Sequence, residues 1–148
     1  GPEAYTYHAE WITKSPEKYQ PSTRRALQRA ADSKADVYIR ARNAVEQQRR
    51  SIRGVFENVD LLITPTMLTP PPPIQSATGR IAVSSRNTSP FDVFGLPTIS
   101  IPCGFSSSGL PIGLQISGAP FAEPAVLALA HAYEQATQWH TRKPPLPA

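Results

Sequence analysis

The sequence predicts a fold that mixes α-helices with a small number of β-strands. Residues 1–59 carry apolar side chains at helical spacing, and residues 98–117 alternate between apolar and polar side chains as paired strands do. A further segment of helical spacing follows at 121–140. With 148 residues, 40% of them hydrophobic and 18% charged, the chain has the length and composition of one globular domain. We therefore expect residues 1–148 to form a single unit.

Two short helices are predicted at the start of the helical region 1–59. The first covers Glu3–Thr13 and ends before Pro16, because a residue that precedes a proline disfavours the helical conformation. The second runs to Asp32, and the hydroxyl of Ser22 is of the type that caps the N-terminus of a helix.

The longest predicted helix starts at Ser33, with Asp36 three positions on as its partner in a capping box. At 100° per residue the apolar side chains fall within an arc of roughly 120°, which predicts a face that packs against another element. The residues of this arc are Val37, Tyr38, Ala41, Ala44, Val45, Ile52, Val55, Phe56 and Val59.

Positive charge is concentrated in the same region. The net charge is +4, and most of the basic residues lie between Arg24 and Arg53. On the longest helix Arg40 and Arg50 point away from the apolar arc, as expected for the solvated side of a packed helix, whereas Arg42, Arg49 and Arg53 lie beside its edge. The interpretation as a solvated face predicts no nucleic-acid partner. A non-catalytic module for binding or assembly stays open as an alternative.

A buried strand and a long loop are predicted next. Residues 60–64, with the sequence DLLIT, form an apolar run that ends at Pro65. Residues 65–89 are rich in Pro, Thr and Ser, and the four consecutive prolines at 70–73 favour an extended conformation. A loop of this length in a compact domain is usually functional or mobile.

Residues 90–120 contain the clearest local signal, that of a β-hairpin. Thr98–Phe105 alternates apolar and polar side chains, Ser106–Pro111 has the composition of a turn, and Ile112–Ser117 is the return strand. Because Pro102 has no backbone N–H to donate, we expect an edge or a bulge there.

Two further helical segments flank the hairpin. Thr88–Phe94 is predicted to hold a helical turn that ends at Gly95. The region 121–140 is predicted as the last helix, which Glu123 and Pro124 start. Its core stripe consists of Val126, Leu129, Ala130, Tyr133 and Ala136.

The single cysteine and the absence of long apolar runs bear on location. Cys103 cannot form an internal disulfide and fits a reducing compartment, so we expect the protein to be cytoplasmic. No run approaches the ~20 apolar residues that span a bilayer, and we expect no membrane partner. The sequence starts without an initiator methionine or a signal peptide, and we expect it to be a truncated or processed form.

No complete set of catalytic or metal-binding residues is visible in the sequence. Cys103 lies among Ile and Pro, and none of the three histidines is spaced to act as its base. The serines between Gly104 and Gly109 lack the Gly-x-Ser-x-Gly pattern of a nucleophile elbow, so we interpret them as a turn. No group of N or S ligands has the spacing of a zinc site, and we expect neither a metal nor a cofactor.

Three motifs follow one another at fixed distances in residues 87–120, namely Gly95-Leu-Pro97, Ile101-Pro-Cys-Gly104 and Gly109-Leu-Pro-Ile-Gly-Leu-Gln115. In this order and spacing they resemble the C-terminal block of the amidase-signature family. The resemblance extends over nearly the whole chain. The other matching pieces are Glu3-Ala-Tyr5, His8, Asp60-Leu-Leu-Ile-Thr-Pro-Thr66, Thr88-Ser-Pro-Phe91, Glu123, Ala132-Tyr-Glu134 and Trp139-His140.

The resemblance implies an α/β enzyme with helices on both faces of a mixed central sheet. It also implies hydrolysis of carboxylic amides, or transfer of ammonia, by a Ser–cis-Ser–Lys triad. This chain would supply the C-terminal part, which is α+β in isolation, with helices packed on a partial mixed sheet that includes the hairpin. None of its four lysines is followed by the Gly-Ser-Ser-Gly segment that the family requires. No catalytic residue is therefore carried over, and the chain is expected to be inactive alone.

The resemblance also suggests which residues contact the substrate. In this family the strand that matches 60–64 and the loop after it help to line the substrate channel, which implies binding roles for Thr64, Thr66 and Met67. Phe91 and Asp92 are implied less directly.

The partners that the resemblance implies are a small amide substrate and the N-terminal catalytic part of the same enzyme. Because a sheet without its central strands exposes apolar edges, we expect the isolated chain to aggregate, swap segments or pair as a homodimer. The amidotransferase component that feeds ammonia to misacylated tRNA uses the same catalytic core and stays open as an alternative parent.

Overall fold

The computed structural model describes residues 1–73 and 85–143. Its helices and strands come in the order α1 (Pro2–Lys14), α2 (Pro21–Ala31), α3 (Ala35–Ser51), β1 (Leu61–Pro65), α4 (Ser89–Phe94), β2 (Thr98–Phe105), β3 (Pro111–Gly118) and α5 (Glu123–Ala136). Short 3-10 helices lie at Pro16–Lys18, Ile52–Glu57 and Trp139–Thr141. The chain divides into two compact units, Gly1–Gln47 and Gln48–Ala148.

The first unit is helical and is centred on the packing of α1 against α2, which buries Ile12 and Leu27. Both helices have a proline in the first turn, where its missing N–H costs nothing. The predicted cap at Ser22 is wrong. Because Pro21 already starts α2, the N-cap position falls on Gln20, whose side chain makes no capping hydrogen bond.

Helix α3 starts later than predicted. Its first turn begins at Ala35, and the amide of Tyr38 donates a hydrogen bond to the carbonyl of Lys34. Because Ser33 lies outside this turn, the predicted capping box is wrong, and the Asp36 carboxylate instead accepts a hydrogen bond from Arg40 at 2.5 Å. This pair is of the exposed i, i+4 kind, which adds a few tenths of a kcal/mol at most.

The apolar arc predicted for α3 is not buried. None of the residues of α3 is buried, and Val37 is 52% exposed. The helix ends at Ser51, and the following 3-10 helix leaves Val55 exposed as well. An amphipathic pattern identifies a face that could be buried, but burial also requires a second surface over that face.

Exposed polar side chains link α1 to α3 within the first unit. The Glu3 carboxylate accepts hydrogen bonds from the Tyr38 hydroxyl at 2.6 Å and from the Arg42 guanidinium at 2.9 Å. The bond from Tyr38, followed by the charge of Arg42, lowers the pKa of Glu3, and the same bond raises the pKa of Tyr38. Arg42, one of the three arginines beside the apolar edge, is thus held in an ion pair.

The second unit contains a three-stranded antiparallel sheet with the order β1-β3-β2. The predicted hairpin is confirmed, and its strands pair with Ile99 opposite Ile116 and Ile101 opposite Leu114. The register shifts between Pro102 and Gly104, so the bulge expected next to Pro102 is also confirmed. The predicted first strand pairs with the other edge of β3 over residues 61–65.

One face of this sheet packs against α5. The buried residues of this core are Ile101, Ile116, Val126 and Ala130, with Leu61, Ile99, Leu114, Leu129 and Tyr133 packed around them. Ile116 on the central strand is completely buried. The stripe predicted for the last helix is confirmed apart from Ala136, which is exposed at the end of α5 because the helix stops there.

Within residues 1–73 and 85–143, none of the helices combines the length and the apolar character needed to cross a membrane.

Candidate functional site

The face of the sheet opposite α5 is polar. Since side chains of a strand alternate between its two faces, the residues between the core positions project together on this second side. Leu62 also lies on this side of β1, and we use the name polar face for its polar residues, which are Thr64, Thr98, Ser100, Gln115 and Ser117. Gln115 and Ser117 lie on the central strand and are only 2% and 1% exposed.

The buried polar groups of this face are hydrogen-bonded, as burial requires. The side-chain amide of Gln115 donates to the Thr64 hydroxyl at 3.0 Å and to the carbonyl of Asn87 at 2.9 Å. The Thr98 hydroxyl donates to that of Ser117 at 2.9 Å. Asn87 itself donates through its side chain to the carbonyl of Pro65 at 2.8 Å, which ties the segment before α4 to the end of β1.

A pair of hydroxyl groups continues the polar face beyond the end of β1. The amide of Thr66 donates to the carbonyl of Gly113 at 2.9 Å, and its hydroxyl lies 2.5 Å from that of Ser100. The pair spans the central strand above Gly113, where a Cβ atom would lie only 2.7 Å from the Thr66 hydroxyl oxygen and 2.8 Å from that of Ser100. We call this arrangement of Thr66, Ser100 and Gly113 the clasp.

An open cleft of about 350 Å³ lies directly beside the clasp. One wall is the segment that follows Thr66, and the other is the start of β3. The lining residues are Met67, Leu68, Thr69, Pro70, Pro71, Pro111, Ile112 and Gly113, none of which carries a charge. Gly113 belongs to both the cleft and the clasp, so the two features share a boundary.

Helix α4 carries the other two residues that were expected to bind substrate. Phe91 is half-buried and Asp92 is exposed in its first turn. The helix ends at Gly95, whose φ of 68° is the left-handed conformation that glycine adopts most readily. The Arg49 side chain donates to the carbonyl of Val93 at 2.8 Å, so this arginine contacts the last turn of α4.

The structure brings together part of the predicted set. Met67 lines the cleft. Thr66 directly precedes it and Thr64 lies on β1, whereas Phe91 and Asp92 are not among the lining residues. The sequence analysis missed Ser100 and Gln115. The alternation within the hairpin could have found Ser100 and Gln115, since both are polar residues opposite each other between core positions.

Comparison with known proteins identifies the family. The family model described as "Amidase" matches residues 5–127, which is most of the chain. The chain belongs to the amidase family. A protein named "Amidase" from Pseudomonas putida is 34% identical over 154 residues, covering 98% of this chain and 33% of that relative.

Other amidase-family proteins match over shorter regions. A glutamyl-tRNA(Gln) amidotransferase subunit from Thermodesulfovibrio yellowstonii is 41% identical over 115 residues, covering 72% of this chain and 23% of the relative. A crystal structure of an amidase superposes with a TM-score of 0.84 and 28% identity, covering 91% of this chain and 33% of that one. The chain thus spans about a third or less of the length of these relatives.

The thiol of Cys103 and the serines between Gly104 and Gly109 take part in the structure of the hairpin. The thiol of Cys103 donates a long hydrogen bond of 3.5 Å to the carbonyl of Ile112 across the hairpin. The serine run is a turn, as predicted, in which the amide of Ser106 donates to the carbonyl of Leu110 at 2.8 Å. No group of three or more His, Cys, Asp or Glu side chains within the described ranges could hold a metal ion.

Proposed function

We propose that this chain is the C-terminal structural and substrate-pocket part of an amidase that hydrolyses carboxylic amides. The observation that carries this proposal is the uncharged cleft beside the end of β1, in a chain that belongs to the amidase family. The chain carries no lysine followed by Gly-Ser-Ser-Gly, so the nucleophile and its base come from an N-terminal catalytic part of the same enzyme. We propose that the whole enzyme, meaning this chain joined to that part, works in the cytoplasm, where Cys103 stays reduced.

Within this proposal the predicted residues divide into two groups. Met67 contacts the substrate directly, since its side chain is flexible, 43% exposed and part of the cleft wall. Thr64 and Thr66 hold the base of that wall through hydrogen bonds to Gln115 and Ser100. Phe91 and Asp92 are proposed to approach the substrate from α4, outside the cleft.

Ammonia release from a simple amide such as hexanamide tests the proposal. The whole enzyme is expected to release ammonia, and the 148-residue chain alone is expected to release none. Release by the chain alone that survives replacement of every serine would refute the assignment of catalysis to the N-terminal part. A whole protein that lacks the lysine and the Gly/Ser-rich segment would refute the hydrolase parentage.

The contribution of the cleft is tested by Met67→Ala in the whole enzyme. We expect a rise in KM for hexanamide with little change in kcat, because the lost contact is to the bound group and not to the reacting carbonyl. Leu127→Ala is the matched control, since Leu127 is similarly exposed but lies on α5 and does not line the cleft. An equal change in both variants would contradict a binding role for Met67.

A second candidate is a component of an amidotransferase. The relative of that kind from Thermodesulfovibrio yellowstonii is 41% identical over 72% of the chain, which supports such a parent as well. An amidotransferase passes ammonia to an acceptor, whereas a hydrolase releases it to solvent. Amide turnover that depends on an added aminoacyl acceptor would therefore favour the second candidate over the first.

A further inference from the structure

We propose that Ser100 is a positioning residue that determines which amides the cleft accepts. By pairing with Thr66 above Gly113, its hydroxyl sets the place of the cleft wall, and the cleft takes an apolar, uncharged group of the amide. This inference rests on the proposed function and adds to it a substrate class and a residue that sets it.

The clasp is connected directly to one wall of the cleft. Thr66 directly precedes Met67, the first residue of the wall, and residues 67–73 have no helical or strand structure of their own. Thr66 is attached to the sheet by its amide, which bonds to Gly113, and by its hydroxyl, which pairs with Ser100. Two attachments on different strands fix both the position and the rotation of Thr66, and so the direction in which the wall leaves the sheet.

Gly113 joins the clasp to the opposite wall of the cleft. This residue forms part of the opposite wall, and its missing side chain is what lets the two hydroxyls meet above the central strand. Loss of the Ser100 hydroxyl would leave Thr66 held by its backbone alone. The wall could then move relative to Ile112, and the width of the cleft would change.

The lining of the cleft carries no charged side chain. A charged group in this cleft would lose hydration without gaining a charged partner, which is costly. The volume of about 350 Å³ is that of a site for a small molecule. An aliphatic acyl chain of a few carbons fits this description, whereas a chain ending in an ammonium or a carboxylate does not.

The experiment compares three amides and three variants in the whole enzyme. Hexanamide and 5-aminopentanamide have nearly the same shape and differ in a terminal methyl or ammonium group, and acetamide is too short to fill the cleft. Ser100→Ala removes the clasp, and Ser100→Thr keeps a hydroxyl. Thr98→Ala is the matched control, since it removes a hydroxyl pair from the same strand and the same face without touching the cleft.

Wild-type enzyme is expected to prefer hexanamide over 5-aminopentanamide. Losing one hydrogen bond should raise KM for hexanamide by about three- to tenfold in Ser100→Ala, while KM for acetamide stays within about twofold. Ser100→Thr should restore the preference, and Thr98→Ala should leave it intact. Equal effects of Ser100→Ala and Thr98→Ala, an equal change for all three amides, or no preference in the wild type would overturn the inference.

A binding measurement separates this inference from the proposed function. In the whole enzyme with methyl-labelled methionine, the Met67 signal, assigned from a Met67→Leu variant, should shift on addition of hexanamide and not of 5-aminopentanamide. The shift should weaken in Ser100→Ala and persist in Thr98→Ala. If the enzyme hydrolyses no amide but these shifts appear, the proposed function fails and the cleft assignment stands. If the enzyme hydrolyses amides but the Met67 signal does not shift, this inference fails and the proposed function stands.

Discussion

Replacing Gly113 by alanine is the most direct perturbation of the clasp. The added Cβ would lie 2.7 Å from the hydroxyl oxygen of Thr66, 2.8 Å from that of Ser100 and 3.1 Å from the Cβ of Thr66. Rotating the hydroxyls relieves the first two contacts only by breaking their pairing, and the third cannot be relieved by rotation at all. A broken hydrogen bond of about 1 kcal/mol and an overpacking cost of about 1–3 kcal/mol predict a destabilisation of about 2–4 kcal/mol.

Urea unfolding of the whole enzyme measures this cost as a shift of the transition midpoint at constant m-value. Gly54→Ala is the control, because its new Cβ would meet nothing closer than the Glu57 carboxylate at 3.9 Å. On a Ser100→Ala background, where the hydrogen bond is already lost, Gly113→Ala should cost about 1 kcal/mol less than in the wild type. If Gly113→Ala unfolds at the same urea concentration as Gly54→Ala, the geometry of the clasp is not what stabilises this edge of the sheet.

Three further predictions concern other parts of the chain. Gly118→Ala places a Cβ 2.9 Å from Val126 on α5. It should destabilise the fold by about 1–3 kcal/mol, with partial recovery in a double variant with Val126→Ala. Thermal melts in which the losses of the two single variants simply add would contradict this contact. Ile116→Ala empties the completely buried centre of the core and should lower the free energy of unfolding by about 2–5 kcal/mol, and a urea midpoint near that of the wild type would show that the core lies elsewhere. The hydrogen bond to Glu3 holds the pKa of Tyr38 above its ordinary value, so its small contribution to stability is present below that value and is lost as the pH rises through the raised pKa. An NMR titration should show the Tyr38 pKa fall towards its ordinary value in Glu3→Gln, and an unchanged pKa would refute the pairing.

The sequence predicted the local structure of the hairpin well. Alternating side chains, a glycine turn and a proline that cannot donate a hydrogen bond specify both strands and the bulge between Pro102 and Gly104. The last helix was predicted equally well from Glu123 and the apolar stripe after it. These features depend on neighbouring residues, so local chemistry is sufficient to predict them.

The failures lie at helix starts and on α3. Ser22 and Ser33 were both assigned capping roles, yet the helices begin at Pro21 and Ala35. In α2 the proline sets the first turn and leaves the serine inside the helix. The apolar arc of α3 correctly describes an amphipathic helix, but its residues are half-buried at most, because a pattern of spacing carries no information about what covers it.

Sequence alone was enough to identify the family and the hairpin, and one of its five candidate binding residues, Met67, lines the cleft. It could not assemble the clasp or the polar face. Thr66 and Ser100 are 34 positions apart, and Thr64 and Gln115 are 51 apart, so their contacts depend on how β1 aligns with β3. A slip of one residue in that alignment would turn these side chains to the opposite face of the sheet. The register of β1 depends on packing across the sheet, where Leu61 contacts the core formed by β2, β3 and α5. Such packing between distant residues is decided only in the folded chain.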